Sequence, residues 1–318
     1  AAIKVMEAHV LFPEIITRRA ENGGRSFAHK AWLEKNPSGR EEEYEGLCAF
    51  IRHEFTSLAP EIALFCSDHP FDLIPTAVEL NEIIEAFNAV EKDRDVAADI
   101  WKSDDALGWL YESYNNEKKA AHKNSGNKTE FDLVSLQSQV YTPRWVVKFL
   151  VDNSLGKLYL EMFPDSDIKN RYKIANVPKT RMREPKPLTE IKLIDPASGS
   201  GNFLLYAFDL FYDLYMDRIE NGDNYDEDQI PGLIIEKNLH GIDLDDRAVQ
   251  LAHLGLYIKA KRKRRNIKIT HFNVVSTDFY LPDFDDAVKF FDAGEIPDPS
   301  VLSLLKEEWD DLQQAHRF

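Results

Sequence analysis

Apolar positions in the first third of the chain recur three and four residues apart and do not alternate, the pattern of helices rather than strands. In "ELNEIIEAFNAV", Glu79 to Val90, the residues Leu80, Ile83, Ile84 and Phe87 fall at that spacing, which predicts one amphipathic helix. The polar stretch "NEKKAAHKNSGNKTEFD", Asn116 to Asp132, breaks the period and predicts an exposed linker. A mainly helical N-terminal domain over residues 1–130 is therefore expected, followed by a second domain over 131–318.

The second part has a different rhythm. Thr142 is the expected N-cap and Pro143 the first residue of a helix, with Val146, Phe149, Leu150 and Val151 as its buried stripe. A loop rich in basic residues and proline, Lys169 to Pro187, leads into the short apolar run "IKLID". A glycine turn follows, then a helix over Phe203 to Ile219 with Leu204, Phe208 and Phe211 on one side. The run "NLHGIDLDD" predicts a second strand, "RAVQLAHLGLYIKAKRK" a helix, and "ITHFNVVSTDFYLP" a third strand. Strand, helix, strand, helix, strand is the order of an open parallel α/β sheet, whose ligands sit at the carboxyl ends of its strands.

Composition narrows the field. With 318 residues, 43% of them hydrophobic, the chain can fill a sizeable core. It has only Cys48 and Cys66, no apolar run of about 18 residues, and no charged-then-apolar leader pattern, so a cytoplasmic, reducing compartment and no membrane partner are expected. The scattered histidines and cysteines show no metal-ligand spacing, and no metal is expected. The chain starts at Ala1 without methionine, and it is expected to be part of a longer protein. The aromatic residues Phe203, Tyr206, Phe208, Phe211, Tyr212 and Tyr215 are read as packing, and Trp101, Trp109 and Tyr111 as helical core. A net charge of −16 opposes general adhesion to nucleic acid. Against it stands "KAKRKRRNIK", Lys259 to Lys268, which is either a solvated helix end near the negative pole of the helix dipole or a patch contacting phosphates.

Three acids, Asp195, Asp243 and Asp278, each close a predicted strand, so the fold would gather them at one sheet edge. Between them the turn "GSGNFL" has Gly199 and Gly201, where a missing Cβ lets backbone approach a ligand. A dinucleotide site would have three glycines and an acid about 20 residues on, whereas here there are two glycines and the next strand-ending acid is 48 positions away. An acid directly before the turn would also repel a pyrophosphate. A ligand with an ammonium group and a ribose but no phosphate suits these residues better, and S-adenosylmethionine is such a ligand.

The motifs themselves carry a resemblance. "DPASGSGNF" resembles the donor-binding motif of the adenine-N6 DNA methyltransferases, "SQVYTPRWVVKFLV" is similar to the segment that precedes it in their type I and phage-defence branches, and "GIDLDDRAVQLA" resembles their second acidic motif. "ALGWLYESYNNEKK" and "LVDNSLGKLYL" resemble the PglX methyltransferases of BREX phage-exclusion systems, with type I and type II restriction-modification methyltransferases as near relatives, so the likeness spans Ala106 to Lys261. Ser198 stands where that family often has cysteine, and Asn202 where it often has histidine.

The resemblance implies a partial Rossmann-like fold of the S-adenosylmethionine-dependent methyltransferases. It places Tyr141, Thr142 and Pro143 at the methionine end of the donor, Asp195, Ala197, Gly199 and Gly201 around its amino-acid part, and Asp243 on the ribose. Leu244 would pack on the adenine, with Asp278 and Phe279 at its amine and ring. It implies double-stranded DNA as partner, and other defence-system or specificity subunits. The family's N-P-P-Y tetrapeptide, which grips the flipped target base, is absent from the 318 residues. No catalytic residue is thus assigned, and the chain alone is expected to be inactive. Three function classes stay open: a DNA adenine methyltransferase, a methyltransferase acting on RNA, protein or a small molecule, and a donor-binding scaffold without turnover.

Overall fold

Helix caps and apolar stripes account for most of the architecture. The computed structural model describes residues 1–60, 75–93, 99–126 and 139–277, with single positions 62, 65, 136, 284, 305, 306 and 309. Residues Ala1–Ser276 form one compact unit and Thr277–Phe318 another. Within the second unit the rings of Phe284 and Trp309 lie 6.1 Å apart, edge to face.

The first unit begins with five helices: α1 (Ala2–Ala8), α2 (Phe27–Lys35), α3 (Leu47–Leu58), α4 (Ala77–Val90) and α5 (Ala106–Ser125). Thr76 and Glu79 close a capping box at the start of α4, each side chain serving the other's backbone N–H. In that helix Ile84 is buried, Leu80 and Phe87 pack partly against the same core, and Ile83 is 43% exposed. Helix α5 runs to Ser125, so the expected linker is helical over its first ten residues, and 127–132 lie outside the described residues. Its polar composition there reflects a helix exposed on most sides, and Gly126 at φ +70° ends it.

Next come α6 (Arg144–Val151), a π turn over Asp152–Gly156, α7 (Lys157–Met162) and the single turn α8 (Ile168–Arg171). Pro143 is the N-cap of α6, one position later than expected. The buried face differs from the expected stripe: Val147 and Val151 are buried, Phe149 is 56% and Leu150 48% exposed. "RWVVKFLV" is apolar on two sides, so periodicity alone could not choose the inward one.

Three parallel strands follow, β1 (Leu193–Asp195), β2 (Leu239–Asp243) and β3 (Asn273–Ser276), in the order β1-β2-β3. Leu193 pairs with Leu239, His240 with Asn273, and Asp243 with Ser276. Between strands lie α9 (Asn202–Glu220), α10 (Ile230–Leu233), a π turn over Ile234–Asn238, and α11 (Asp246–Lys263). The result is a mixed α/β domain, mostly helical, with a small parallel sheet. The side chain of the fully buried Asn238 donates to the carbonyls of Leu188 and Ile191, both at 2.7 Å, and accepts from Tyr215 at 3.0 Å. That one amide fixes the start of β2 beside the approach to β1.

Two cores share a helix. The larger surrounds α9, where Leu204, Phe208, Phe211 and Tyr215 are fully buried, each contributing about 1.5–3 kcal/mol of transfer free energy. The smaller, among α1, α3 and α4, includes Leu254, Tyr257 and Ile258 of α11. The aromatic series on α9 is packing, as read from its spacing. Trp101 is also buried, but Trp109 is 41% exposed and Tyr111 faces polar partners, so those two are not core residues.

The basic run at the end of α11 is largely consumed inside the unit. Lys259, 5% exposed, pairs with Asp104 at 2.6 Å and with Asp209. Arg262 reaches Asp104 at 2.8 Å, Arg264 pairs with Glu227 and Asp228, and Arg265 donates to the carbonyls of Val10 and Leu11. Among the described residues no helix is long and apolar enough to cross a membrane.

Candidate functional site

β1 ends on Asp195 and the chain turns at once, since Pro196 cannot continue the ladder. The turn is held by Ser198 N–H donating to the Ile242 carbonyl at 2.9 Å and Gly201 N–H to the Ser198 carbonyl at 2.8 Å. Two glycines make it possible. Gly199 has φ +52° with nothing within 4 Å of where a Cβ would stand, so its Cα faces open space. Gly201 has φ +85°, and a Cβ there would lie 2.9 Å from the Cβ of Ala252, which lets the start of α9 press against α11.

β2 delivers Asp243 to the same edge. Its two carboxylate oxygens accept from the N–H of Gly199 at 2.7 Å and of Asp245 at 2.9 Å, which ties the glycine turn to the loop after β2. A carboxylate has about four lone-pair sites, so acceptor capacity for a diol remains. Leu244 beside it is 54% exposed. Asp195 accepts from the N–H of Ala197 at 3.2 Å through one oxygen, while its other oxygen is buried without a partner. Burial raises the Asp195 pKa above the usual carboxylate range, the Ala197 amide opposes that, and the Asp243 charge adds to it. A cation placed there would supply the missing partner.

The segment before α6 forms another side of the site. The Asn202 side chain donates to the Thr142 carbonyl at 2.7 Å, joining that segment to the first turn of α9. Pro143 is exposed, Thr142 half-buried. The Tyr141 hydroxyl is buried beside the Asp105 carboxylate, and burial together with hydrogen bonding to that carboxylate pushes its ionisation upward. Ser198 Oγ is a further buried polar atom without a partner.

Tyr141, Thr142, Pro143, Asp195, Ala197, Gly199, Gly201, Asp243 and Leu244 all belong to segments linked by these contacts. Asp278 and Phe279 lie outside the described residues. Four residues that link these segments were assigned no site role from the sequence: Tyr111, expected in the helical core, Asn202, noted only as a departure from the family motif, Gln139 and Asp245. Asp245 was open to detection, because an acid directly before an apolar-periodic run is an N-cap signal, and its carboxylate accepts from the N–H of Arg247 at 3.0 Å. The other three act through long-range contacts. Among the described residues no group of three or more metal-ligating side chains is gathered.

Residues 173–283, which hold all three strands and the turn, match the family described as MmeI, DNA-methyltransferase domain. Over 195 residues the chain is 33% identical to the adenine-specific methyltransferase BrxX of Escherichia coli, an alignment covering 57% of this chain and 16% of that protein. It is also 33% identical over 217 residues to the adenine-specific methyltransferase PglX of Lacticaseibacillus casei, covering 62% and 18% respectively. Over these segments the chain is similar to two adenine-specific methyltransferases. A putative type II restriction enzyme and methyltransferase of Methanocaldococcus jannaschii is 27% identical over 225 residues, covering 61% of this chain and 18% of that one. The chain thus spans less than a fifth of the length of each of these three relatives.

Proposed function

We propose that the chain is the donor-binding part of a DNA adenine-N6 methyltransferase of a phage-defence or restriction-modification system. The donor is S-adenosylmethionine, the substrate of the parent protein is double-stranded DNA, and the compartment is the cytoplasm. The sheet with its flanking helices is, on this reading, part of a Rossmann-like donor-binding fold. One observation carries the proposal: at the glycine turn a buried Asp195 oxygen lacks a partner beside an Asp243 carboxylate already held in place.

Asp195 holds the ammonium of the donor's amino-acid part, with Ala197, Gly199 and Gly201 wrapping the same part. Asp243 accepts from the ribose hydroxyls, and Leu244 covers one face of the adenine. Tyr141, Thr142 and Pro143 border the methionine end. S-adenosylmethionine, when bound, supplies a methyl group on a positively charged sulfur. What these residues do is orient that group and exclude water. The amine of a target adenine is a poor nucleophile, and the acceptors that would localise its lone pair belong to a motif this sequence lacks.

Titration calorimetry with S-adenosylmethionine tests the reading. Asp243→Ala is expected to weaken binding by about 1–3 kcal/mol, the cost of leaving buried hydroxyls without an acceptor. An unchanged affinity would remove the ribose assignment. The chain alone is expected to transfer no tritiated methyl group to mixed-sequence duplex DNA, and incorporation above background would show that catalytic groups have been overlooked.

A further inference from the structure

Helix α5 contributes no strand-end acid, yet it touches each segment of the candidate site. Gly108 abuts Tyr141 and the glycine turn so closely that a Cβ would lie 2.6 Å from Tyr141 Cε2 and 3.3 Å from Ser200 Oγ. One turn further, the Tyr111 hydroxyl donates to Asp245 Oδ2. Gln139 Nε2 donates to the same carboxylate oxygen at 3.1 Å and to the Tyr111 hydroxyl at 3.0 Å. Gln139 is itself held from α5, its side-chain oxygen by the buried Asn115 and its carbonyl by Lys119. Positions 108, 111, 115 and 119 are three and four apart, so a single face of α5 makes all these contacts.

Asp245 is 5% exposed and would carry a costly buried charge without its partners. Burial acts to raise its pKa, and the hydrogen bonds from Arg247 and Tyr111 overcome this and hold it below the usual range. Its N–H donates to Asp243, and Asp243 accepts from the Gly199 N–H. An unbroken chain of hydrogen bonds therefore runs from Tyr111 through Asp245 and Asp243 to the glycine turn.

We infer that Tyr111 and Gly108 are positioning residues of the donor site, and that α5 is a wall of that site. Tyr111 fixes the loop that carries Asp243 and Leu244, on the side of the donor's nucleoside. Gly108 lets α5 seat Tyr141 and the glycine turn, on the side of its amino acid. Donor binding then depends on a helix far upstream of the glycine turn, and a cut at residue 130 separates the two halves of one pocket. The inference rests on the reading of Asp195 and Asp243 as donor carboxylates.

The test compares Tyr111→Phe, Gln139→Leu, Asp243→Ala and Asp195→Asn in the full 318-residue chain, with S-adenosylmethionine and 5′-methylthioadenosine as probes. The second probe keeps the nucleoside and drops the amino acid. Tyr111→Phe and Gln139→Leu are expected to weaken both probes by about tenfold, the effect of roughly one relaxed hydrogen bond. The ligand-free unfolding temperature should move by no more than about 4 °C. Asp195→Asn should weaken S-adenosylmethionine alone. In the double variant Tyr111→Phe/Asp243→Ala, losses smaller than the sum of the two single ones would show that Tyr111 acts through that loop. If Tyr111→Phe and Gln139→Leu bind both probes like the parent chain while Asp243→Ala does not, the positioning role is overturned and the donor reading stands. If neither aspartate substitution changes the affinity, or the parent chain binds neither probe, the donor reading itself falls. A loss of probe affinity accompanied by an equal loss of ligand-free stability would make Tyr111 a structural residue only.

Discussion

The two ends of α11 treat polar groups in opposite ways. At its C-terminal end Lys259 is buried between Asp104 and Asp209, Arg262 shares Asp104, and Arg264 reaches Glu227 and Asp228. Near its N-terminal end Asp195 Oδ2 and Ser198 Oγ are buried without partners, and Leu244 is left 54% exposed. A buried polar group without a partner costs about 1–3 kcal/mol, so such groups persist where something other than stability is served. The dense charge lies at the end where it is paired, and the unmet hydrogen-bonding capacity of Asp195 and Ser198 lies at the end proposed to hold the donor.

The largest effect that would break this contrast is at the saturated end. Asp104 also pairs with Arg144, at 3.4 Å, so Asp104→Ala would leave three cations short of one acid. The expected cost is about 2–3 kcal/mol, measured by urea unfolding, because the buried Lys259 loses one of its two acids while Asp209 remains. A loss below about 1 kcal/mol would put this cluster among ordinary surface pairs.

At the other end the expectation reverses. Asp195→Asn should cost about 1.4 kcal/mol or more of S-adenosylmethionine affinity, tenfold in Kd. Ligand-free stability should hold or rise, since burial already opposes the Asp195 charge. Equal losses of affinity and stability would contradict the contrast.

Acid sharpens it further. Asp195 has its pKa raised by burial and by Asp243, so on acidification it protonates before an ordinary carboxylate does, and on the proposed reading affinity for a cationic donor is expected to fall with it. Burial would raise Asp104 as well, but Lys259, Arg262 and Arg144 outweigh it and hold that pKa below the ordinary value. A lowered native pKa contributes stability that is present above the unfolded value of about 3.9 and is lost as pH falls through the native one. Calorimetry and thermal melting from pH 7 down to about 4 should therefore show donor affinity declining while the Asp104 contribution persists. A simultaneous decline would mean that the two ends are not independent.

The smallest effect belongs to the remaining cations of the basic run. Lys263 sits 3.9 Å from the centre of the Tyr212 ring, and Lys263→Ala should change stability by only about 0.5–1 kcal/mol.

Much of the arrangement was legible beforehand. Local pattern suffices for the order of strands and helices from β1 to β3, for the acids that end β1 and β2, and for the packing role of the α9 aromatics, because each is written in neighbouring residues. It failed for α6, whose two apolar sides are equivalent until α9 covers one of them, and for α5, whose polar end reads as linker although it is helix.

The sequence by itself determined a glycine turn between two acid-ended strands and a basic run in an acidic chain. Only the tertiary structure decided which of those charges are answered. Lys259 meets Asp104 across 155 positions, and Tyr111 meets Asp245 across 134. Periodicity reports which faces of an element are apolar. Which partner waits there depends on how distant elements pack, and no local pattern encodes that.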